Sequence, residues 1–362
     1  MTSKAISRLL WPAFLAGIVL ASISAAPFRY DYSNSGRYLM VVAQRMDPTL
    51  YPNDPVVASI ARFDSLFYRL LPMVFHDPER LEGDLFVVYV GMKIALILSM
   101  FWFIRTLTKA PLAAVLLLAW CTQPSEAALG GVSLISNWVT HTEIALVLGI
   151  LAVGCAVQRR YWFFWPLISL SLFIHSLVTI HLLACLLPIL LFVERRTWPA
   201  LLLGLAGFFL CFLGYIHWMT PPAMSSEEAK IFMSAKGQMV HVSPLAQGMA
   251  NYVKTALLFG LAMLGQRRWL ADQPAAKLIL GFAVCGSLVA FLLSFASVIG
   301  GVSSFAQMQP MRIFFWVTLF LQVIVAWATC AAIKERHGAV WALLGYIVFG
   351  MAGALWAEGL AA

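Results

Sequence analysis

The chain has 362 residues, of which 62% are hydrophobic and only 11% are charged, and its mean hydropathy is +0.86. A soluble globular protein carries roughly 25% charged residues, so this composition excludes a water-soluble enzyme and predicts a polytopic membrane protein. The net charge of +8 does not indicate a nucleic-acid partner, because the basic residues are scattered in pairs between apolar runs.

The first apolar run covers 9–26, follows Lys4 and Arg8, and ends in small residues. It resembles a secretory signal peptide, but it is about long enough to cross a membrane, and Pro27 would directly follow the cleavage point. We therefore interpret it as a retained first span with its N-terminus in the cytoplasm.

A long polar segment, 27–84, follows this span and contains eight of the sixteen acidic residues of the chain and six of its arginines. Three short helices are predicted in it: one capped near Asn34, one capped by Asp54, and one over 65–74. Their apolar faces are typical of helices that lie on a membrane surface. Asp77, which precedes a proline, predicts the start of the second span.

Apolar runs of helical length make up most of the remaining chain. They predict further spans at 85–104, 110–121, 141–157, two within 161–193, 198–216, 249–265, 275–298, 311–333 and 338–357. The two spans within 161–193 are expected to form a hairpin that turns between His175 and His181. The predicted fold is all-α, a polytopic transmembrane helical bundle of about eleven spans that forms one membrane domain, 1–362.

The charge distribution predicts the orientation. One side carries thirteen lysines and arginines against three acids, and the other side carries eleven against thirteen, which together give the net charge of +8. All short basic doublets fall on the first side, as the positive-inside rule requires of the cytoplasm. The loops 27–84 and 217–247 are then expected in the periplasm of a bacterial inner-membrane protein, with the C-terminus also periplasmic.

Sequence motifs of nucleotide-dependent enzymes and hydrolases are absent. The chain contains no GxxxxGK[ST], GxGxxG, GxSxG or HExxH, so any chemistry is expected to use groups at the outer face. The six cysteines lie in or beside apolar runs without a CxxC, and they are predicted to be packing residues.

Asp31 is the first acid after the first span and stands between two tyrosines. A carboxylate at the membrane–water boundary is partly desolvated, which suits a general base or a metal ligand. The alternative is a solvated loop acid or a helix cap.

Arg312 opens the span at 311–333, three residues after Gln309. An arginine at this depth is costly unless it is paired or functional, and its guanidinium can hold a phosphate through two hydrogen bonds. Arg37 could serve the same phosphate. The alternative for Arg312 is a side chain that reaches the interface to be solvated.

Three histidines and a glutamate are further candidates. His175 and His181 lie in the predicted hairpin, and His141 and Glu143 begin the span at 141–157. Ionisable residues within spans usually face a cavity or pair internally. A buried histidine bonded to a backbone carbonyl is the alternative for His175 and His181.

The segment DYSNSGRY, residues 31–38, the short loop helices and the many following spans resemble the GT-C superfamily of membrane glycosyltransferases. That family takes sugars from polyprenyl-phosphate carriers. The resemblance implies that Asp31 is the base or a metal ligand, with a divalent cation as candidate cofactor. It implies that Tyr38 contributes to substrate binding and that Arg312 holds the carrier phosphate. Tyr32 follows Asp31 where the family commonly has a glutamate.

Two other functions stay open. One is a transporter or flippase for a lipid-linked substrate, which would be expected to contain inverted repeats. The other is a non-catalytic membrane component of a polysaccharide assembly complex, which the missing second acid favours. The expected partners are a polyprenyl-phosphate-linked sugar and membrane lipid, with no nucleic acid.

Overall fold

A computed structural model of the protein describes residues 3–30, 33–60, 65–121, 129, 136–193, 198–219 and 240–335. These residues are predominantly helical and none of them forms a strand, which confirms the predicted all-α class. The helices are α1 (Ser3–Ala25), α2 (Ser33–Met46), α3 (Pro55–Ile60), α4 (Leu66–Val74), α5 (Leu81–Thr108), α6 (Pro111–Cys121), α7 (His141–Val157), α8 (Tyr161–Ile174), α9 (Ser176–Val193), α10 (Trp198–Met219), α11 (Met249–Trp269), α12 (Pro274–Val298), α13 (Ser303–Gln307) and α14 (Phe314–Lys334). Short 3-10 turns at Pro78–Arg80, Pro244–Ala246 and Pro310–Ile313 stand before α5, α11 and α14.

Helix length limits how many of these elements can cross a membrane. Within the described ranges, four segments are long and apolar enough: Pro78–Thr108, Trp198–Trp218, Pro274–Val298 and Ser304–Lys334. Four further apolar stretches, Pro12–Ser24, His141–Val157, Tyr161–Ile174 and Ser176–Phe192, are shorter. The shortest complete helix among them, α8, has 14 residues, which rise only about 21 Å against a hydrocarbon core of about 30 Å. The predicted count of about eleven spans is therefore not confirmed, and its last member, 338–357, lies outside the described residues.

The positions of the helices nevertheless agree with the prediction. α7 covers the predicted residues 141–157, and α12 begins one residue before its predicted start. The helical run 161–193 breaks at His175, whose backbone is extended, with φ −154° and ψ 96°. This break falls at one end of the predicted turn.

The three predicted loop helices α2, α3 and α4 are present, and their caps explain where two of them begin. The Asp54 carboxylate accepts a hydrogen bond from the backbone N–H of Val57 at 3.1 Å, and the Ser65 hydroxyl accepts one from Tyr68 at 3.5 Å. α2 begins at Ser33, one residue before its predicted cap, and packs against α3 and α4. These contacts hold α2 over the end of the bundle that contains the candidate site.

The segment leading into α5 also starts as predicted. The Asp77 carboxylate accepts a hydrogen bond from the backbone N–H of Glu79 at 3.0 Å, and Pro78 occupies the first position of the 3-10 turn. Proline suits this position because its missing N–H would have no helical partner. Of the second predicted loop, 217–247, the structure describes 217–219 and 240–247.

The centre of the bundle is α14. Eighteen of its 21 residues are buried, as expected of a helix that is apolar on every side, and it packs against α6, α9, α11 and α12. The Trp316 indole N–H donates to the backbone oxygen of Val178 at 3.0 Å. Its ring lies so close to α7 that a Cβ added at Gly149 would stand 2.5 Å from it. Trp316 thus fixes the spacing of α7, α9 and α14.

Candidate functional site

Four rings from distant parts of the chain meet at one end of the bundle: Tyr38, Tyr68, His141 and His175. The rings of Tyr38 and Tyr68 are stacked, with centroids 4.7 Å apart and planes within 2°. His141 stands edge-on to both, at 5.5 Å from Tyr38 and 5.1 Å from Tyr68. His175 stacks on His141 at 4.3 Å. We refer to these four residues as the aromatic-histidine cluster.

Local structure explains how the two histidines come to face each other. Thr140 caps α7 by accepting a hydrogen bond from the Thr142 N–H at 3.2 Å, which makes His141 the first residue of the helix. His175 occupies the extended break between α8 and α9, where its N–H donates to the Ser171 oxygen at 2.8 Å. α7 and α8 pack against each other, so the start of one meets the end of the other.

A hydrogen bond joins the tyrosine pair to the histidine pair. Nδ1 of His141 lies 3.2 Å from the hydroxyl of Tyr68. Burial raises the pKa of Tyr68 above its usual range, so this hydroxyl keeps its proton at neutral pH. The cluster therefore offers aromatic and imidazole groups rather than negative charge.

Arg312 supplies the positive charge of the site. Its Nη2 donates to Nε2 of His241 at 3.1 Å, which requires His241 to be the neutral tautomer with its proton on Nδ1. The Arg312 Nε is buried without a hydrogen-bond partner, and no carboxylate lies within ion-pair distance of this guanidinium, in the part of the chain that the structure describes. A buried cation in this state favours an external anion as its partner.

Gln309 and His181 shape the turn that carries Arg312. Gln309 adopts a left-handed backbone, with φ 48° and ψ 58°, which costs a non-glycine residue about 1–2 kcal/mol. Its carbonyl accepts the Arg312 N–H at 2.9 Å, and Nε2 of His181 donates to the carbonyl of the preceding Met308 at 2.7 Å. His181 is thus bonded to a backbone carbonyl, as the alternative interpretation of the sequence expected.

The arginine turn and the aromatic-histidine cluster form one site. Arg312 interacts electrostatically with Tyr38, His175 and His181. These interactions place side chains from α2, the α8–α9 break, α9 and the turn before α14 near one another. Of the residues singled out in the sequence, Tyr38, His141, His175, His181, Gln309 and Arg312 belong to this site.

Three predicted site residues lie elsewhere or cannot be placed. Arg37 is exposed and lines a surface pocket with Tyr30 and Tyr51, on a different side of α2 from Tyr38. Asp31 lies outside the described residues, so its role as base or metal ligand stays a prediction. Glu143 is described, and it contacts a different set of partners.

Glu143 forms a buried ion pair with Lys93 in the middle of α5. The same carboxylate oxygen, Oε1, accepts hydrogen bonds from the Ser136 N–H at 2.8 Å and from the Ser136 hydroxyl at 2.7 Å. Lys93 in turn donates to the Ser136 carbonyl at 2.6 Å. These contacts tie α5 to the segment that leads into His141, and they give Glu143 a structural role whether or not it contacts substrate.

Sequence reasoning missed three residues of this region: Tyr68, His241 and Lys93. A signal for Lys93 was present, because a lone lysine within the apolar run 85–104 requires a partner. Tyr68 and His241 had no such signal. Tyr68 lies in α4 and His241 in the second loop, and only tertiary packing brings the two residues to the site.

A metal site would need ligands beyond those described. Among the described residues, no group of three or more histidine, cysteine, aspartate or glutamate side chains could hold a metal ion. The candidate divalent cation therefore depends on Asp31, and we derive no step through it.

Comparison of the chain with protein-family models, curated proteins and solved structures gives no match. The functional argument for this chain therefore rests on the arrangement of its own residues: one guanidinium, several imidazoles and stacked aromatic rings at one end of an apolar helical bundle.

Proposed function

We propose that the protein transfers a sugar from a polyprenyl-phosphate carrier to a glycan or lipid acceptor at the outer face of a bacterial inner membrane. The observation that carries the proposal is Arg312 next to the aromatic-histidine cluster. A guanidinium that has no acidic partner in the described part of the chain suits a phosphate ester. Aromatic rings beside it suit the apolar faces of a sugar or the start of a prenyl chain.

In the proposed reaction an acceptor hydroxyl oxygen attacks the anomeric carbon of the sugar. The bond from that carbon to the phosphate oxygen breaks, and the carrier phosphate leaves with the bonding electron pair. Arg312 stabilises the charge that develops on this phosphate. The proton of the acceptor hydroxyl passes to a base, for which Asp31 is our candidate, placed in the sequence seven residues before Tyr38.

The membrane arrangement is part of the proposal. We propose about eleven membrane-crossing segments, with the N-terminus in the cytoplasm and the C-terminus in the periplasm, from the alternation of basic doublets along the sequence. A short helix such as α8, which exposes Trp162 and Phe163 in its first turn, would then cross where the bilayer thins locally to match its length.

Transport of a lipid-linked substrate is a second candidate, and the Lys93–Glu143 pair favours it. Ionisable pairs buried in membrane helices often mark ion or proton pathways. A transporter would move the intact carrier-linked sugar without breaking the bond to phosphate. A non-catalytic protein that only binds the carrier would leave that bond intact as well.

Mass spectrometry of lipid that co-purifies with the full-length protein tests the proposal. We expect a polyprenyl phosphate or its glycosylated form with the wild-type protein and a strong reduction with Arg312→Ala. Arg80→Ala is the matched control, because Arg80 is an exposed loop arginine paired with Asp77. Equal amounts of carrier lipid with Arg312→Ala, or none with the wild type, would remove the basis of the proposal.

A further inference from the structure

A second candidate site lies in a groove between α9, α11 and α12. The groove has a volume of about 440 Å³ and an almost entirely apolar lining. Its lining includes Ile189 of α9, Gln266 of α11, and Lys277, Gly281, Val284 and Leu288 of α12. None of these residues belongs to the aromatic-histidine cluster or to the turn that carries Arg312.

The α12 wall of the groove has the length of one membrane leaflet. Lys277, Gly281, Val284 and Leu288 follow one another at intervals of four, three and four residues, so they share one face of the helix. At 1.5 Å per residue this stripe is about 16 Å long, close to half of a hydrocarbon core of about 30 Å. Val284 and Leu288 are exposed, and Gly281 leaves a notch between them and Lys277.

The polar groups of the groove stand at one end. Lys277 is exposed in the first turn of α12, and Gln266 is in the last turn of α11, just before Arg267 and Arg268. α12 meets the turn before α14 further along, at Gly286, where an added Cβ would lie 3.3 Å from Ile313. The basic end of the groove is therefore the end remote from Arg312.

We propose that this groove binds an anionic phospholipid of the leaflet at the Lys277 end. One acyl chain lies along the stripe from Gly281 to Leu288, and the headgroup phosphate contacts Lys277. The apolar length and the single cationic end match a lipid chain with a negative head. The proposal requires that α12 crosses the membrane, and it does not depend on sugar transfer.

Other occupants fit less well. A helix of a second copy is about 10–12 Å wide. It is too wide for the notch at Gly281, which is only the space of one missing side chain. The prenyl chain of a carrier held at Arg312 would enter from the Leu288 end and leave Lys277 without an anion. These two occupants are outcomes that the experiment separates from an anionic phospholipid.

Native mass spectrometry of the full-length protein tests the inference. The protein is released from nanodiscs of phosphatidylcholine alone, of phosphatidylcholine with phosphatidylglycerol, or of phosphatidylcholine with polyprenyl phosphate, and the retained lipids are counted. The variants are Lys277→Gln, which removes the cation, and Gly281→Leu, which fills the notch. Lys334→Gln and Gly260→Leu are the matched controls, since both positions are exposed and neither lines the groove.

We expect the wild type and both controls to retain phosphatidylglycerol in preference to phosphatidylcholine. Lys277→Gln should weaken this retention about fivefold, the effect of one basic residue near an anionic surface, and Gly281→Leu should abolish it. Because Lys277 is exposed, its variant is expected to fold normally.

The inference is overturned by unchanged phosphatidylglycerol retention in both groove variants. It is also overturned if Gly281→Leu displaces polyprenyl phosphate instead, which would assign the groove to the carrier, or if the wild type dimerises and Gly281→Leu makes it monomeric. A loss of carrier binding in Arg312→Ala with normal phosphatidylglycerol retention would concern the proposed function alone.

Discussion

At the scale of single residues, the buried charged side chains in the described part of the chain are of two kinds: those paired with an opposite charge and those bonded to neutral groups. Lys93 and Glu143 form an ion pair and bind Ser136, whereas Arg312 donates to the neutral imidazole of His241. The charge of Lys93 is already compensated by a carboxylate, whereas a cation bonded only to neutral groups can accept an anion. This contrast is why we assign ligand binding to Arg312 rather than to Lys93.

Single substitutions in the ion pair should be more damaging than the double substitution. Removing one partner leaves an uncompensated buried charge, so Lys93→Met and Glu143→Leu should each destabilise the protein by about 3 kcal/mol or more. The double variant should recover much of this loss, because no buried charge remains. Thermal unfolding in detergent measures the effect.

The control for these single and double substitutions is Lys334→Met, at an exposed position in the last turn of α14. This substitution should leave the stability of the protein nearly unchanged. If the losses of the two single variants simply add in the double variant, Lys93 and Glu143 do not act as a pair.

The strained turn before Arg312 gives a second residue-scale prediction. Because Gln309 has a left-handed backbone, Gln309→Gly should be more stable than Gln309→Val, by about 1–2 kcal/mol. Both substitutions remove the polar side chain, so its hydrogen bonds do not contribute to their difference, and the β-branched valine is the residue that tolerates this backbone least. Thermal unfolding of the two variants measures this difference, and equal stability would show that the turn relaxes out of this conformation.

At the scale of helices, α14 determines how the bundle packs. Its large side chains press into gaps left by glycines on its neighbours, and Trp316 against Gly149 is one such contact. A Cβ at Gly149 would stand 2.5 Å from Trp316 and 3.1 Å from Leu182, with both side chains held in the core. Space rather than backbone freedom explains the glycine at this position.

Gly149→Ala should therefore destabilise the protein by about 1–3 kcal/mol, the usual cost of overpacking a core. Gly91→Ala on α5 is the matched control, because a Cβ there meets nothing within 4 Å. That variant should be neutral or up to about 1 kcal/mol more stable, from its higher helix propensity. Fluorescence-detected melting curves of the two variants measure the difference. Equal unfolding temperatures for Gly149→Ala and Gly91→Ala would contradict the close packing of Trp316 against Gly149.

The sequence predicts these elements better than it predicts what they do. Prolines and capping residues such as Asp54 and Asp77 locate the loop helices, because capping is local chemistry. The break at His175 follows from a helical run too long for one span. The number of spans could not be obtained in this way, because hydropathy does not show that α8 is too short to cross alone.

The site could be predicted only in part. His141 and Arg312 were found at the starts of apolar runs and His175 at the turn of the predicted hairpin, whereas Tyr38 was found through the family resemblance. Their contacts with Tyr68 and His241 depend on the packing of α4 and of the segment 240–242, which no local pattern encodes. Arg37 was grouped with Arg312 by charge, but the turn of α2 directs it elsewhere.

At the scale of the whole molecule, orientation is the prediction that follows most directly from charge. Reporter fusions after Arg160, Arg196, Arg268 and Arg336 should all report a cytoplasmic position, because basic doublets stay inside. A fusion after Tyr51, in the loop of α2 to α4, should report the opposite side. One cytoplasmic doublet reported outside would break the alternation and with it the proposed eleven spans.

The central claim is that Arg312 and the aromatic-histidine cluster bind a carrier phosphate. Equilibrium binding of polyprenyl phosphate to the full-length protein in phosphatidylcholine nanodiscs tests it most directly. We predict that Arg312→Ala weakens binding at least tenfold, about 1.5 kcal/mol or more for a charge-assisted hydrogen bond. Arg312→Lys should recover only part of it, because lysine cannot make the two-point contact. Asp31→Asn and the control Arg80→Ala should bind nearly as the wild type does. Equal affinity in the wild type and Arg312→Ala would contradict the claim.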